Sequence, residues 1–111
     1  PRSPDPLRPT ASKTIERVAN AVQHVGSQPA LIELVGGPVL FRHYVCSPSS
    51  LSDYLAGRTL PRDPNLFQLR QLLDYIEPRL ATGEAINGEA LRTHLAEAII
   101  QRNARSAGRG R

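Results

Sequence analysis

Apolar residues recur every three or four positions through most of the chain, which is the spacing of an amphipathic α-helix. The first such repeat lies between Ser12 and Gly26 and consists of Ile15, Val18, Ala19, Val22 and Val25. Ser12 is a suitable N-cap, and Gly26 is suited to end the last turn. The pattern therefore predicts a first helix between these two residues.

Three shorter helices are predicted from caps and prolines. Ser27 caps a helix from Gln28 to Val35, which tolerates Pro29 in its first turn and ends at Gly36-Gly37. A proline opens each of the next two helices, Pro38 to Val45 and Pro48 to about Ala56. Ser47 is the N-cap of the last of these, and Gly57 ends it.

Two longer helices follow. A fifth helix is predicted to start at Asp63 and Pro64, which repeat the arrangement of a cap followed by a proline, and to end before Pro78. Its apolar face contains Leu66, Leu69, Leu72, Leu73 and Ile76. Asn87 caps a final helix, to about Gln101, whose apolar line contains Leu91, Leu95, Ala98 and Ile99. Because no segment alternates with period two, we predict an all-α, compact domain of five or six helices.

Composition divides the chain into three parts. Residues 1–11 are predicted to be a disordered lead-in, because four of the first ten are Pro. Residues 12–100 form the helical domain. Residues 101–111 are predicted to form a basic, disordered tail; they contain four Arg and no acidic residue, and they account for the whole net charge of +4. Such a tail attracts nucleic acid non-specifically, or it simply makes the chain more soluble.

Several classes of protein are disfavoured. The single Cys46 excludes an intramolecular disulfide, and His24, His43 and His94 do not have the spacing of a metal site. The chain carries no nucleophile elbow, phosphate-binding loop or pair of catalytic carboxylates. No apolar run approaches the roughly 20 residues of a membrane span. We therefore expect a cytoplasmic, nucleoid-associated protein that is not an enzyme and needs no metal or cofactor.

The segment VCSPSSLSDYLAGRTLP, residues 45–61, indicates a function. On the helix from Pro48, one face carries Leu51, Tyr54 and Leu55, and the opposite face carries Ser49, Ser50, Ser52 and Asp53. Only Cys46 and Ser47 separate this helix from the one before it. Two short helices joined by a tight turn, the second with a small polar face, are typical of a helix-turn-helix.

Short Ser side chains allow a helix to approach base edges in the major groove. The free backbone N–H groups near Ser49 and Ser50 are suited to a phosphate. Arg58 and Arg62, just after the helix, and Arg42, on the preceding helix, are placed to contact the DNA backbone.

The residues SPSSLSDYLAGRTLP also resemble the recognition helix and following turn of lambda-repressor-like (Xre-type) helix-turn-helix regulators. The resemblance extends over Pro38 to Ile76 and is strongest over Ser47 to Pro61. It implies a buried Leu51 and Tyr54, and it implies base and phosphate contacts from Pro48, Ser49, Ser50, Ser52 and Asp53. It also implies that the Leu66 to Ile76 helix is the next core helix.

The chain departs from that family at three positions. Phe41 replaces the usual small residue and Val45 the usual Gly of the turn, which predicts a wider or rotated crossing of the two helices. Gly37 stands where many members have a Gln that binds phosphate.

These observations predict a sequence-specific double-stranded DNA-binding protein, a transcriptional regulator of the repressor type that binds as a homodimer. The predicted DNA-binding residues are Arg42, Ser47, Pro48, Ser49, Ser50, Ser52, Asp53, Arg58 and Arg62. The Asn87 to Gln101 helix is the expected dimer surface, unless its apolar line closes the monomer core.

Three alternatives remain open. The polar face of the helix from Pro48 is also what an ordinary solvated surface carries. The same helices are compatible with a protein-interaction module, such as an antitoxin-like or assembly subunit. The segment LVGGPVLF, residues 34–41, is one residue short of the turn of a helix-hairpin-helix, which binds DNA non-specifically.

Overall fold

The computed structural model describes residues 8–109, and their backbone forms six helices. These are α1 (Arg8–Val25), α2 (Gln28–Val35), α3 (Pro38–Tyr44), α4 (Pro48–Leu55), α5 (Asn65–Thr82) and α6 (Gly88–Arg109). No strand occurs within this range. The prediction of an all-α domain with five or six helices is therefore confirmed.

The two 18-residue helices, α1 and α5, pack against each other, and α6 packs on the other side of α5. The short helices complete the enclosure, since α2 contacts α1, α3 and α6, while α4 contacts α1 and α3. The core consists mainly of aliphatic side chains, with the aromatic rings of Phe41 and Tyr54. Its completely buried members include Val18, Leu31, Val35, Phe41, Leu51, Leu69, Leu72, Leu73, Ile76, Leu91 and Leu95. Phe41 and Val45, the two departures from the family pattern, both lie in this core.

An ion-pair cluster joins α1 to α5. The guanidinium of Arg17 donates to Asp74 at 2.9 Å and to Glu77 at 2.7 Å. The hydrogen bond with Glu77, more than the other contacts, holds the pKa of Arg17 above its ordinary value. This cluster connects α1 and α5 on their solvent-exposed side.

The first helix begins at Arg8 rather than after Ser12. Pro9 is compatible with a first turn, and the buried face starts with Ala11 and Thr14. Thr14 tolerates burial because its hydroxyl donates to the carbonyl of Thr10 at 2.7 Å. The predicted lead-in is thus helical over residues 8–11, and its residues 1–7 lie outside the described part of the chain.

The predicted limits of the fifth helix were wrong at both ends. Asp63 does not cap α5, whose first residue is Asn65; instead its carboxylate pairs with Arg102 of α6 at 3.0 Å. Pro78 lies inside α5, which continues for one more turn. The helix ends where Gly83 adopts a left-handed φ of 75° and the N–H of Glu84 donates to the carbonyl of Arg79.

The sixth helix begins as predicted, since the side chain of Asn87 accepts from the N–H of Ala90 at 3.1 Å. It then continues to Arg109, so the predicted tail is helical over residues 101–109, and residues 110–111 lie outside the described range. Leu91 and Leu95 are completely buried within the monomer. Leu91 and Leu95 therefore close the monomer core and are not available to a dimer, while Ala98 and Ile99 of the same apolar line are only partly buried.

Candidate nucleic-acid interface

The inner face of α4 is anchored in the core. Leu51 is completely buried and Tyr54 is 6% exposed, while Leu55 packs at the edge of the core. The hydroxyl of Tyr54 accepts from the side chain of Asn65 at 2.8 Å, which connects α4 to the first turn of α5. The prediction that these three residues face the core is confirmed, and the remaining side of α4 faces outward.

The N-terminus of α4 is organised by serine hydroxyls. Ser47 accepts from the backbone N–H of Ser50 at 3.1 Å, and its hydroxyl donates to the Ser50 hydroxyl at 2.8 Å. Pro48 occupies the first turn and is half-buried, and Ser49 is exposed, its hydroxyl 3.4 Å from that of Ser47. The cap therefore uses Ser47 and Ser50, which leaves Ser49 as the accessible hydroxyl at this end.

The second accessible hydroxyl belongs to Ser52, one turn further along α4. It accepts a hydrogen bond from the side-chain amide of Gln28, at the start of α2, at 2.9 Å. Sequence reasoning missed Gln28, because it is 24 residues away and α2 showed no polar motif of its own. The sequence did indicate that Gln28 lies at the start of a helix, because it directly follows the cap Ser27, and the first residue of a surface helix is accessible to other groups.

Asp53 does not present a bare carboxylate on this face. Its Oδ1 lies 2.9 Å from Nη1 of Arg58, in the turn after α4. Both side chains remain in contact with solvent, so the pair contributes little to stability. Its main consequence is electrostatic, because Arg58 offsets the negative charge that would repel a phosphate.

The other two predicted arginines are exposed on different elements. Arg42 lies on α3, and Arg62 lies in the loop before α5. Arg62 and Arg58 together line an open groove of about 770 Å³ between the start of α1 and the α4–α5 loop, with Tyr54 and Asn65 on its inner side. The groove therefore places two cationic side chains in the loop that follows α4.

The glycine turn between α2 and α3 is already occupied by intramolecular contacts. The N–H of Gly36 donates to the carbonyl of Glu33, and that of Gly37 donates to the carbonyl of Ile32. A Cβ at Gly36 would lie 2.6 Å from Leu40 and 2.7 Å from Arg92. These contacts disfavour a helix-hairpin-helix motif, because the turn of that motif must offer free backbone N–H groups to a phosphate.

Other chemistry is sparse among residues 8–109. Cys46 is 4% exposed, and burial raises the pKa of its thiol to about 12. The described part of the chain contains no group of three or more His, Cys, Asp or Glu placed to hold a metal ion. None of the described helices combines the length and apolar character needed to cross a membrane.

No protein-family model matches this chain, and comparisons with curated proteins and with solved structures return no significant match. The assignment of a function therefore depends on the geometry of α4 and its surroundings.

Proposed function

We propose that this protein is a sequence-specific double-stranded DNA-binding protein, a transcriptional regulator of the repressor type, and that α4 reads the major groove. The supporting observation is the arrangement of α4 itself. Its apolar face packs on the core through the buried Leu51 and Tyr54, its outer face is polar and small, and three residues, 45–47, join it to α3. This arrangement is typical of the second helix of a helix-turn-helix.

The outer face has the right dimensions for base contacts. Ser49 and Ser52 are short and exposed, so they do not hold the helix away from the base edges. Each hydroxyl both donates and accepts, which suits it to several base edges. Pro48, at the first turn, adds only a compact apolar surface.

The flanks supply phosphate contacts. Arg42 lies on α3, before α4, and Arg58 and Arg62 lie in the loop after α4. A guanidinium binds a phosphate through two parallel hydrogen bonds. In this proposal Ser47 and Ser50 act indirectly, because they hold the first turn of α4 in place rather than contacting bases.

One α4 helix covers too few base pairs for specific binding in a genome. The proposal therefore includes a homodimer on an operator with two half-sites about 34 Å, or one helical turn, apart. The dimer surface is not the Leu91 and Leu95 face, which is buried in the monomer. A stoichiometry of two chains per operator, measured by sedimentation, is the expected result.

The test is fluorescence anisotropy with pooled genomic fragments at two salt concentrations. Ser49→Glu places a negative charge at the exposed end of α4, and we expect it to abolish specific binding. Thr93→Glu, on the exposed side of α6, is the charge-matched control and should leave binding unchanged. Uniform weak binding by all three proteins, lost at higher salt, would contradict the proposal.

A protein-interaction module is the second candidate, and exposed apolar side chains favour it. Val39 on α3 is 81% exposed and Ile100 on α6 is 66% exposed. Exposed apolar side chains mark a binding surface where they form part of a contiguous patch. A partner that is released by Ile100→Asp, together with an absence of DNA affinity, would establish this alternative.

A further inference from the structure

The hydrogen bond between Gln28 and Ser52 brings a second helix to the outer face of α4. Gln28 is the first residue of α2, and its Nε2 donates to the Ser52 hydroxyl at 2.9 Å, on the solvent side of both helices. Gln28 lies outside the segment that resembles the lambda-repressor-like family. The contact therefore brings Gln28 to the outer face of α4, although the resemblance to that family implies no role for this residue.

The backbone under Gln28 is held in place at both ends of α2. At the start, the hydroxyl of Ser27 accepts from the N–H of Ala30 at 3.2 Å. At the end, Arg92 of α6 donates to the carbonyl of Val35 at 2.7 Å. Leu31 and Val35 are completely buried between these points. The backbone of Gln28 is therefore fixed, and the hydrogen bond to Ser52 restricts its side chain.

The hydrogen bond to Ser52 uses one of the two Nε2 hydrogens of Gln28. Gln28 is half-exposed and Ser52 is exposed, so this pair is accessible from solvent, and the amide still has a second N–H donor and the Oε1 acceptor to offer. In the major groove, adenine presents an acceptor at N7 beside a donor at N6, and this pair matches the free donor and acceptor of a glutamine amide.

We propose that Gln28, oriented by Ser52, reads one adenine in the major groove of the operator and is a specificity-determining residue of this protein. The inference rests on the proposed function, because it requires α4 to enter the groove. It assigns Ser52 a positioning role, in which the hydroxyl fixes the amide.

The experiment is selection of binding sites from a random duplex library, with the full chain and with three variants. Gln28→Ala removes the amide, and we expect the preference for adenine at one position per half-site to fall roughly ten-fold while the other positions stay unchanged. Gln28→Glu keeps an acceptor but loses the donor, so the preference at that same position should move toward cytosine, whose amino group donates. Ser52→Ala should weaken the adenine preference without replacing it by another base.

Gln101→Ala is the matched control, because it removes an exposed glutamine from α6, which does not pack against α4. A motif that keeps adenine at every position in both Gln28 variants would overturn the inference and leave the proposed function standing. Recovery of no motif by the unmodified chain would overturn both. A cytosine preference confined to Gln28→Glu would establish the assignment.

Discussion

Asp53 is the one acidic residue of α4, and its carboxylate pairs with Arg58 at 2.9 Å. Asp53→Asn removes this charge and leaves the Arg58 guanidinium available to a phosphate. We expect several-fold tighter DNA binding and a steeper salt dependence, because the contact of Arg58 with a phosphate no longer competes with Asp53. Anisotropy titrations over a series of salt concentrations measure both quantities.

Glu89→Gln is the control for that measurement, since it removes a negative charge from the exposed first turn of α6. A general effect of net charge would increase affinity equally in the two variants. Unchanged or weaker binding by Asp53→Asn would show that Asp53 contributes a favourable contact, such as acceptance from a cytosine amino group.

Cys46 links residue chemistry to folding, because burial raises the pKa of its thiol from 9.0 to about 12. Above the lower value the unfolded chain loses the thiol proton while the folded chain keeps it, so stability falls as the pH rises between these values. At about pH 10 the loss relative to pH 8 is about 1.4 kcal/mol. Urea unfolding of Cys46→Ala should lack this part of the alkaline loss, and parallel pH curves for the two proteins would contradict the prediction.

Among the elements, α5 shows how packing overrides a local signal. Pro78 removes one backbone hydrogen bond from the helix, yet α5 continues to Thr82 because Ile76 is buried and Leu80 packs on the core. Arg79 adds a local contact, since its guanidinium lies 3.8 Å from the ring centroid of Tyr75 and donates to the Tyr75 carbonyl. The tertiary contacts of α5 therefore offset the free energy lost with the missing backbone hydrogen bond at Pro78.

That cost leads to a prediction for Pro78→Ala. The substitution restores an N–H donor within an existing helix and should increase the free energy of unfolding by about 1–3 kcal/mol, as measured by urea denaturation. Pro29→Ala is the control, since Pro29 lies in the first turn of α2, where its missing N–H costs no helical bond. Equal changes at the two sites would show that the effect comes from the unfolded chain rather than from the helix.

At the scale of the whole molecule, α6 closes the core. Leu95 is completely buried, whereas Ile100 on the same helix is 66% exposed. Leu95→Ala should destabilise the protein by about 2–5 kcal/mol, and Ile100→Ala by less than about 0.5 kcal/mol. Thermal or urea unfolding distinguishes them at once. Similar large losses from both, dependent on protein concentration, would indicate that Ile100 is buried in an oligomer.

The predictions from sequence were most accurate for features that depend only on residues a few positions apart in the chain. Ser27, Ser47 and Asn87 cap α2, α4 and α6 as expected, because a cap needs only a side chain and the N–H three residues ahead. The inner face of α4 was predicted for a similar reason, since helical periodicity alone places Leu51 and Tyr54 on one side.

Polar and small residues in the core could not be predicted in this way. Ala11 and Thr14 give no hydrophobic signal, yet both are buried on the extended first turns of α1. Asp63 has the local character of a cap, but its carboxylate is taken by Arg102, 39 residues further along the chain. Such choices depend on which groups the fold brings together, and no window of sequence contains both partners.

For this protein, the sequence by itself determined the all-α class, most helix starts, and the polar outer side of α4. These follow from periodicity and capping, which act over one or two helical turns. Only the tertiary structure decided that α6 closes the monomer core, that Arg58 neutralises Asp53, and that Gln28 reaches Ser52. Each of these depends on side chains that become neighbours only when the helices pack.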